Sequence, residues 1–151
     1  MKIVLIVLGW MLLVSYGQAQ STKTPTSNPP TGYLYQVTPG IPGKAVYVCG
    51  EHPFDASGNL VAAGDLSGQT RQVLENIKTS LARINMKLTD VTQINYAIKG
   101  TSTTVSASTI AMLTKIGASY FTQLPKLVDV KSTPKIVRDD VLIVVEVVAI
   151  K

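Results

Sequence analysis

The sequence predicts an α+β domain, a single β-sheet with two helices packed on one face. Three observations carry this. Apolar or small residues recur every three or four positions at Leu66, Thr70, Val73, Ile77, Leu81 and Ile84, and again at Val105, Thr109, Met112, Ile116 and Tyr120. That spacing builds the inward stripe of an amphipathic helix. β-prone runs precede, separate and follow the two helices, so the order is β-β-α-β-α-β-β. The last run, Val141 to Ile150, is apolar at nearly every position and needs cover on both faces. One layer of helices covers one face, and a subunit interface is the natural cover for the other.

Taken in order, Tyr33, Tyr35 and Val37 alternate as in a short strand. Pro39-Gly40 and Pro42-Gly43 are turn signals. Ala45 to Cys49 is a compact second strand ending at Gly50, and Ser57-Gly58-Asn59 is a further turn. Gly64 gives backbone freedom before the first helix, and Asp65 or Ser67 is placed to cap its free N–H groups. Arg71, Glu75 and Lys78 fall off its apolar stripe. Val91 to Ile98 is a strand with Ile94, Tyr96 and Ile98 on one face. The second helix spans about Val105 to Phe121. Two β-prone runs close the chain, Leu124 to Val130 and Val141 to Ile150, joined by Lys135 to Asp140 as a final hairpin.

A chain of 151 residues suits one domain, and a hydrophobic content of 46% supports a sizeable core. The first residues stand apart from it. Lys2 is a short basic start, Ile3 to Tyr16 is almost unbroken apolar sequence, and Gly17-Gln18-Ala19 offers small residues where a signal peptidase reads. This is the pattern of a secretory signal peptide over residues 1–19, cleaved after Ala19. The rival reading, a membrane anchor, needs a longer run, about 20 residues. Residues 20–32, rich in Ser, Thr, Pro and Asn, form a flexible leader, and residues 33–151 form the domain. The expected location is periplasmic or secreted, with no membrane attachment after cleavage.

The net charge of +5 comes from scattered basic residues, without a cluster or interleaved aromatics, so it reads as a mildly basic surface with no nucleic-acid partner. One Cys and one His exclude an intrachain disulfide and an ordinary zinc site within one chain.

The identity of certain residues says more. Gly64-Asp65, then Gln69-Thr70-Arg71-Gln72, then Leu74-Glu75-Asn76-Ile77 resembles the signature helix of the reactive intermediate deaminase family, RidA or YjgF-like. The resemblance continues through Leu88-Thr89-Asp90-Val91 and ends in Val145-Glu146-Val147-Val148-Ala149, so it covers roughly Lys44 to the C-terminus. It implies a RidA/YjgF-like (chorismate-mutase-like) fold, assembled as a homotrimer around a barrel-like core, with clefts between subunits. The implied activity is hydrolysis of enamines and imines, such as 2-aminoacrylate and its imine, to a 2-keto acid and ammonia, with no metal or cofactor.

That chemistry needs a cation for the substrate carboxylate, best an Arg fork, a group to orient the imine, and a carboxylate to position or activate water. The resemblance places these residue by residue. Glu146, in the Glu-x-x-Ala pattern with Ala149, is the catalytic carboxylate, and a glutamate amid valines is costly to bury without a partner. Cys49-Gly50 stands where the family has Ser-Gly or Thr-Gly at the end of the second strand, and Ser108 falls near a polar position of the second helix. Both are substrate-binding candidates. A Cys49 nucleophile with His52 across the turn is conceivable, although free Cys is usually a small buried hydrophobe.

Val128-Asp129-Val130 fits the family's Val-x-Val, which puts the family's Arg position on Pro125 and its frequent Cys on Leu127. Lys126 is the nearest substitute. In a regular strand it points to the face opposite its neighbour's, so it reaches the cleft only if a bulge intervenes. The sequence therefore favours a trimer whose clefts bind a small molecule, with deaminase chemistry weakened or lost. An active 2-iminobutanoate/2-iminopropanoate deaminase anchored by Lys126 is the alternative, and a purely structural or partner-binding trimer is a third reading.

Overall fold

The computed structural model describes residues 32–151. The expected signal peptide and nearly all of the leader lie outside the described residues. Strand β1 spans Gly32–Val37 and β2 spans Val46–Glu51. Helix α1 follows at Leu66–Ala82, then a short 3-10 turn at Leu88–Asp90 leads into β3 at Val91–Lys99. Helix α2 covers Ala107–Tyr120, β4 covers Lys126–Thr133 and β5 covers Ile143–Ile150. The five strands form one mixed sheet in the order β1-β2-β5-β3-β4. All neighbours are antiparallel except β3 and β4, which are parallel and connected through α2.

The order corrects one expectation. The last two strands are not a hairpin, because β5 inserts between β2 and β3 while β4 lies beyond β3 at the edge. The side chains explain this. In β5, Ile143, Val145, Val147 and Ala149 are fully buried and the alternate residues are half-buried, so the strand belongs at the centre. In β4, Lys126, Asp129 and Lys131 are exposed, and charges of this kind suit an edge strand because they discourage pairing with other chains.

Both helices cover the same face. Val73, Leu74, Ile77 and Leu81 of α1 and Leu113 and Ile116 of α2 close over Ile94, Tyr96 and Ile98 of β3, Cys49 of β2 and the buried phase of β5. Asp65 is the N-cap of α1, accepting from the Ser67 N–H at 2.9 Å. The helix ends at Ala82, short of the expected Ile84, because Asn85 adopts a left-handed conformation (φ 58°) and the Met86 N–H turns back to the Leu81 carbonyl. The buried line of α2 is centred on Leu113, Ile116 and Gly117, one position round from the expected stripe, and leaves Met112 only half-buried.

Gln69 is a buried polar residue that fastens α1 to the start of β5. Its Nε2 donates to the Asp140 carbonyl at 3.0 Å, and its Oε1 accepts from the Leu142 N–H at 2.7 Å. Gln69→Leu fills similar space but leaves the Leu142 N–H without its partner. The expected cost is about 1–3 kcal/mol, read as a lowered urea midpoint with an unchanged denaturant slope.

Candidate active site on the uncovered sheet face

Among the described residues, the second face of the sheet carries no helix. There Val48, Val144, Val148 and Ile150 stay half-exposed around the one acidic residue of β5, Glu146. Strand register sets a row of side chains across this face. Tyr33 pairs with Gly50, Gly50 with Glu146, Glu146 with Asn95, and Asn95 with Asp129. Paired residues share a face, so a tyrosine, a glycine, a glutamate, an asparagine and an aspartate from all five strands stand side by side.

Gly50 makes the row work. A Cβ there would sit 2.3 Å from the Tyr33 ring, so only glycine lets the phenol lie across β2 to Glu146. The Tyr33 hydroxyl donates to Glu146 Oε2, and Asn95 Nδ2 approaches Glu146 Oε1 at 3.4 Å. Burial, then the bond to Glu146 and its charge, hold the Tyr33 phenol above its ordinary ionisation range. It therefore remains a donor throughout the neutral range. Asn95 Oδ1 is buried and has no donor among the described residues, an acceptor waiting beside the carboxylate. A cleft of about 400 Å³ opens over this row, with Glu146, Tyr33, Asn95, Asp129 and Lys131 on its walls.

The five residues singled out from the sequence fall in different places. Glu146 and Gly50 lie at the centre of the row. Cys49 belongs to the other side of the sheet. It pairs with Val147 on the helix-covered face, is fully buried in the core, and so its thiol does not share the cleft with Glu146. Burial, with the Glu51 carboxylate adding to it, pushes the thiol up to about 12. Ser108 lies in the first turn of α2, exposed, with its hydroxyl 2.9 Å from that of the N-cap Ser106, and within one chain it does not join Glu146.

Lys126 meets the condition set by its sequence position. Ile94 pairs with Leu127 but Asn95 pairs with Asp129, so Val128 is an extra residue in β4. This bulge reverses the alternation of β4 and sets Lys126, opposite Gln93, on the same face as Glu146. Lys126 remains at the exposed start of the strand, while Lys131 is the cation on the cleft wall. Pro125 lies on the other side, lining a small apolar cavity beneath α2.

Sequence reasoning missed Tyr33, Asn95 and Lys131 as site residues. Asn95 carried a usable signal, being the polar phase between Ile94 and Tyr96 of an alternating strand. Tyr33 and Lys131 reach the site only through strand order and the bulge.

A mixed five-stranded sheet, with two helices on one face and a glutamate-centred polar row on the other, defines a RidA/YjgF-like protein. Comparison with known proteins agrees. The profile of the Endoribonuclease L-PSP family matches residues 26–150, and the chain belongs to this family, the one that includes the RidA and YjgF proteins. The RutC family protein PH0854 of Pyrococcus horikoshii is 32% identical over 112 residues, covering 72% of this chain and 81% of its own. Among solved structures, the YjgF gene product of E. coli has a TM-score of 0.60 at 22% identity, over 79% of this chain and 87% of that one. RidA from Psychrobacter sp. PAMC 21119 has a TM-score of 0.58 at 20% identity, over 76% and 84%.

The placement of Cys49 makes a direct prediction. Raising the thiol from its ordinary value of 9.0 to about 12 cuts its thiolate fraction at pH 8 by about a thousandfold. Iodoacetamide at pH 8 is expected to modify native protein at least about a hundredfold more slowly than the urea-unfolded chain. The folded state holds this proton more tightly than the unfolded state. Its contribution to stability is therefore intact below about pH 9 and is lost as pH rises toward about 12. Cys49→Ala should abolish that part of the alkaline decline in denaturant midpoint.

Proposed function

We propose that this protein assembles with copies of itself, as a homotrimer, so that the uncovered sheet faces pack into a barrel-like core. The Glu146 cleft then becomes an inter-subunit site for a small molecule, and enamine and imine hydrolysis is weakened relative to the family. The observation that carries this is the Glu146 row. A carboxylate held by the Tyr33 hydroxyl, beside the open acceptor of Asn95, stands in the middle of an apolar surface that the described residues leave uncovered. Half-exposed valines around a charged centre suit burial against another copy of the same face.

Weakened hydrolysis follows from the cation. The family's Arg position is Pro125, and the cleft wall carries Lys131 instead. An ammonium is a point charge without the planar fork that grips both oxygens of a carboxylate. Such a site still holds a small polar molecule, with Asn95 Oδ1 accepting from an N–H and Lys131 meeting an anionic group. On the apolar run Ile3 to Tyr16 we place the protein in the periplasm or outside the cell, away from the cytoplasmic enzymes that generate reactive enamines.

The bulge at Val128 favours a second reading, an active deaminase, because it sets Lys126 on the Glu146 face where an anchor is needed. In that case Glu146 positions a water and takes its proton as the oxygen adds to the imine carbon. The C–N bond then breaks with proton transfer to nitrogen, so one imine and one water give one 2-keto acid and one ammonia.

Ammonia release separates the two. With 2-iminopropanoate generated in situ by an amino-acid oxidase, micromolar protein is expected to raise the spontaneous rate little or not at all. A large acceleration that disappears in Glu146→Gln would overturn the first reading. Lys126→Ala should then lower kcat/KM by about 30-fold or more, the range for losing a charge-assisted contact of about 2–5 kcal/mol. Light scattering tests the assembly, with an expected mass three times that of the chain. A monomer mass would rule out the inter-subunit cleft.

A further inference from the structure

A second cavity, of about 370 Å³, lies on the helix side between the edge strand β1 and the C-terminal half of α1. Of the Glu146 site only Tyr33 borders it. Its floor is Glu51, the last residue of β2. Register alternation turns Glu51 away from Glu146 and toward α1.

Glu51 is only 5% exposed. Its Oε1 takes the hydroxyl of Ser80, while Oε2 has no donor among the described residues. Burial raises its ionisation, opposed by the Ser80 bond and by the positive charge of Arg83. That oxygen is left to whatever enters the cavity, water or the donor of a ligand.

Arg83, the C-cap of α1, lines the same cavity. Its charge acts on Glu51, yet no ion pair closes between them, and among the described residues Arg83 pairs with no other acid. The other acids and amides on the walls have contacts of their own, Gln72 donating to Asn76 Oδ1 at 2.9 Å. Asp55 is consumed by the turn it caps, accepting from the Ser57 and Asn59 N–H groups and from Asn59 Nδ2. Glu75 pairs with Lys78 at 3.5 Å, and Asn76 spends its Nδ2 on the carbonyls of His52 and Phe54. The space is therefore walled by the carboxylates of Glu51, Asp55 and Glu75, of which only Glu51 is buried, and by the guanidinium of Arg83.

We propose that this cavity is a second small-molecule site and that it takes a zwitterionic α-amino acid, with the ammonium on Glu51 and the carboxylate on Arg83. An α-amino acid carries opposite charges on neighbouring carbons, and its ammonium supplies the donors that Glu51 Oε2 lacks. The planar Arg83 fork is suited to two carboxylate oxygens. The volume is in the range of small-ligand sites and leaves room for a modest side chain. The site stands apart from the Glu146 cleft and does not depend on its chemistry.

The test is ¹H–¹⁵N NMR titration of the protein with L-alanine and L-leucine. Propionate and ethylamine serve as single-charge controls. Saturable shifts are expected at the backbone amides of Glu51, Ser80 and Arg83, with neither control reproducing them at the same concentration. Arg83→Gln, at an exposed position, should weaken binding by about tenfold or more. Glu51→Gln should do likewise while keeping an acceptor for Ser80, and its melting temperature checks that it is folded. Glu146→Gln should leave the titration unchanged. The proposal is overturned if millimolar amino acid produces no saturable shift at those amides, if propionate or ethylamine alone matches the amino acids, or if Glu146→Gln abolishes the effect. The last result would assign binding to the other cleft.

Discussion

The structure depends on β5 being apolar on both of its faces. A strand with this composition is stable only at the centre of a sheet with cover above and below. Placing it between β2 and β3 separates β4 from its neighbour in sequence, and α2 carries the chain from β3 to the parallel edge strand. The fully buried phase of β5 meets Val73, Ile77 and Leu81 from α1. The half-buried phase is covered by no helix among the described residues, and Glu146 belongs to that phase. The same constraint that fixes the topology thus leaves the polar row on an open face.

The sequence was most informative where one residue pattern has one physical solution. The helices, the last strand's need for cover and the prominence of Glu146 follow from periodicity and from the cost of a charge among valines. It was least informative where the answer turns on alternation between strands. Cys49, Gly50 and Glu51 are adjacent in sequence, but alternation sends the first and third to the helix side and leaves the second under the Tyr33 ring. Lys126 changes face because of one extra residue, Val128, which no periodicity reveals in a strand with exposed side chains on both phases. Lys131 keeps the phase of Asp129 and becomes a cleft residue through the strand order that sets β4 beside β3. These are matters of register, and register is set by pairings between residues distant in the chain.

Two glutamates sit on opposite sides of the paired β2 and β5 strands. Each is served by a hydroxyl, Tyr33 for Glu146 and Ser80 for Glu51, and each retains some unmet capacity nearby. Their surroundings differ. Glu146 stands among apolar side chains that await cover, whereas Glu51 lies at the base of a polar cavity already shaped by α1. One sheet therefore presents an acid to each side, in two environments that call for different occupants.

Strand β1 joins these environments. It is a six-residue edge strand bonded only to β2, and its Tyr33 lies on the walls of both the cleft and the cavity. Edge strands of this length belong to the weakly held part of a fold and open before the core does. When β1 frays, Glu146 loses its phenol and the Glu51 cavity loses a wall in the same event. Both sides of the sheet therefore rely on the order of one edge strand.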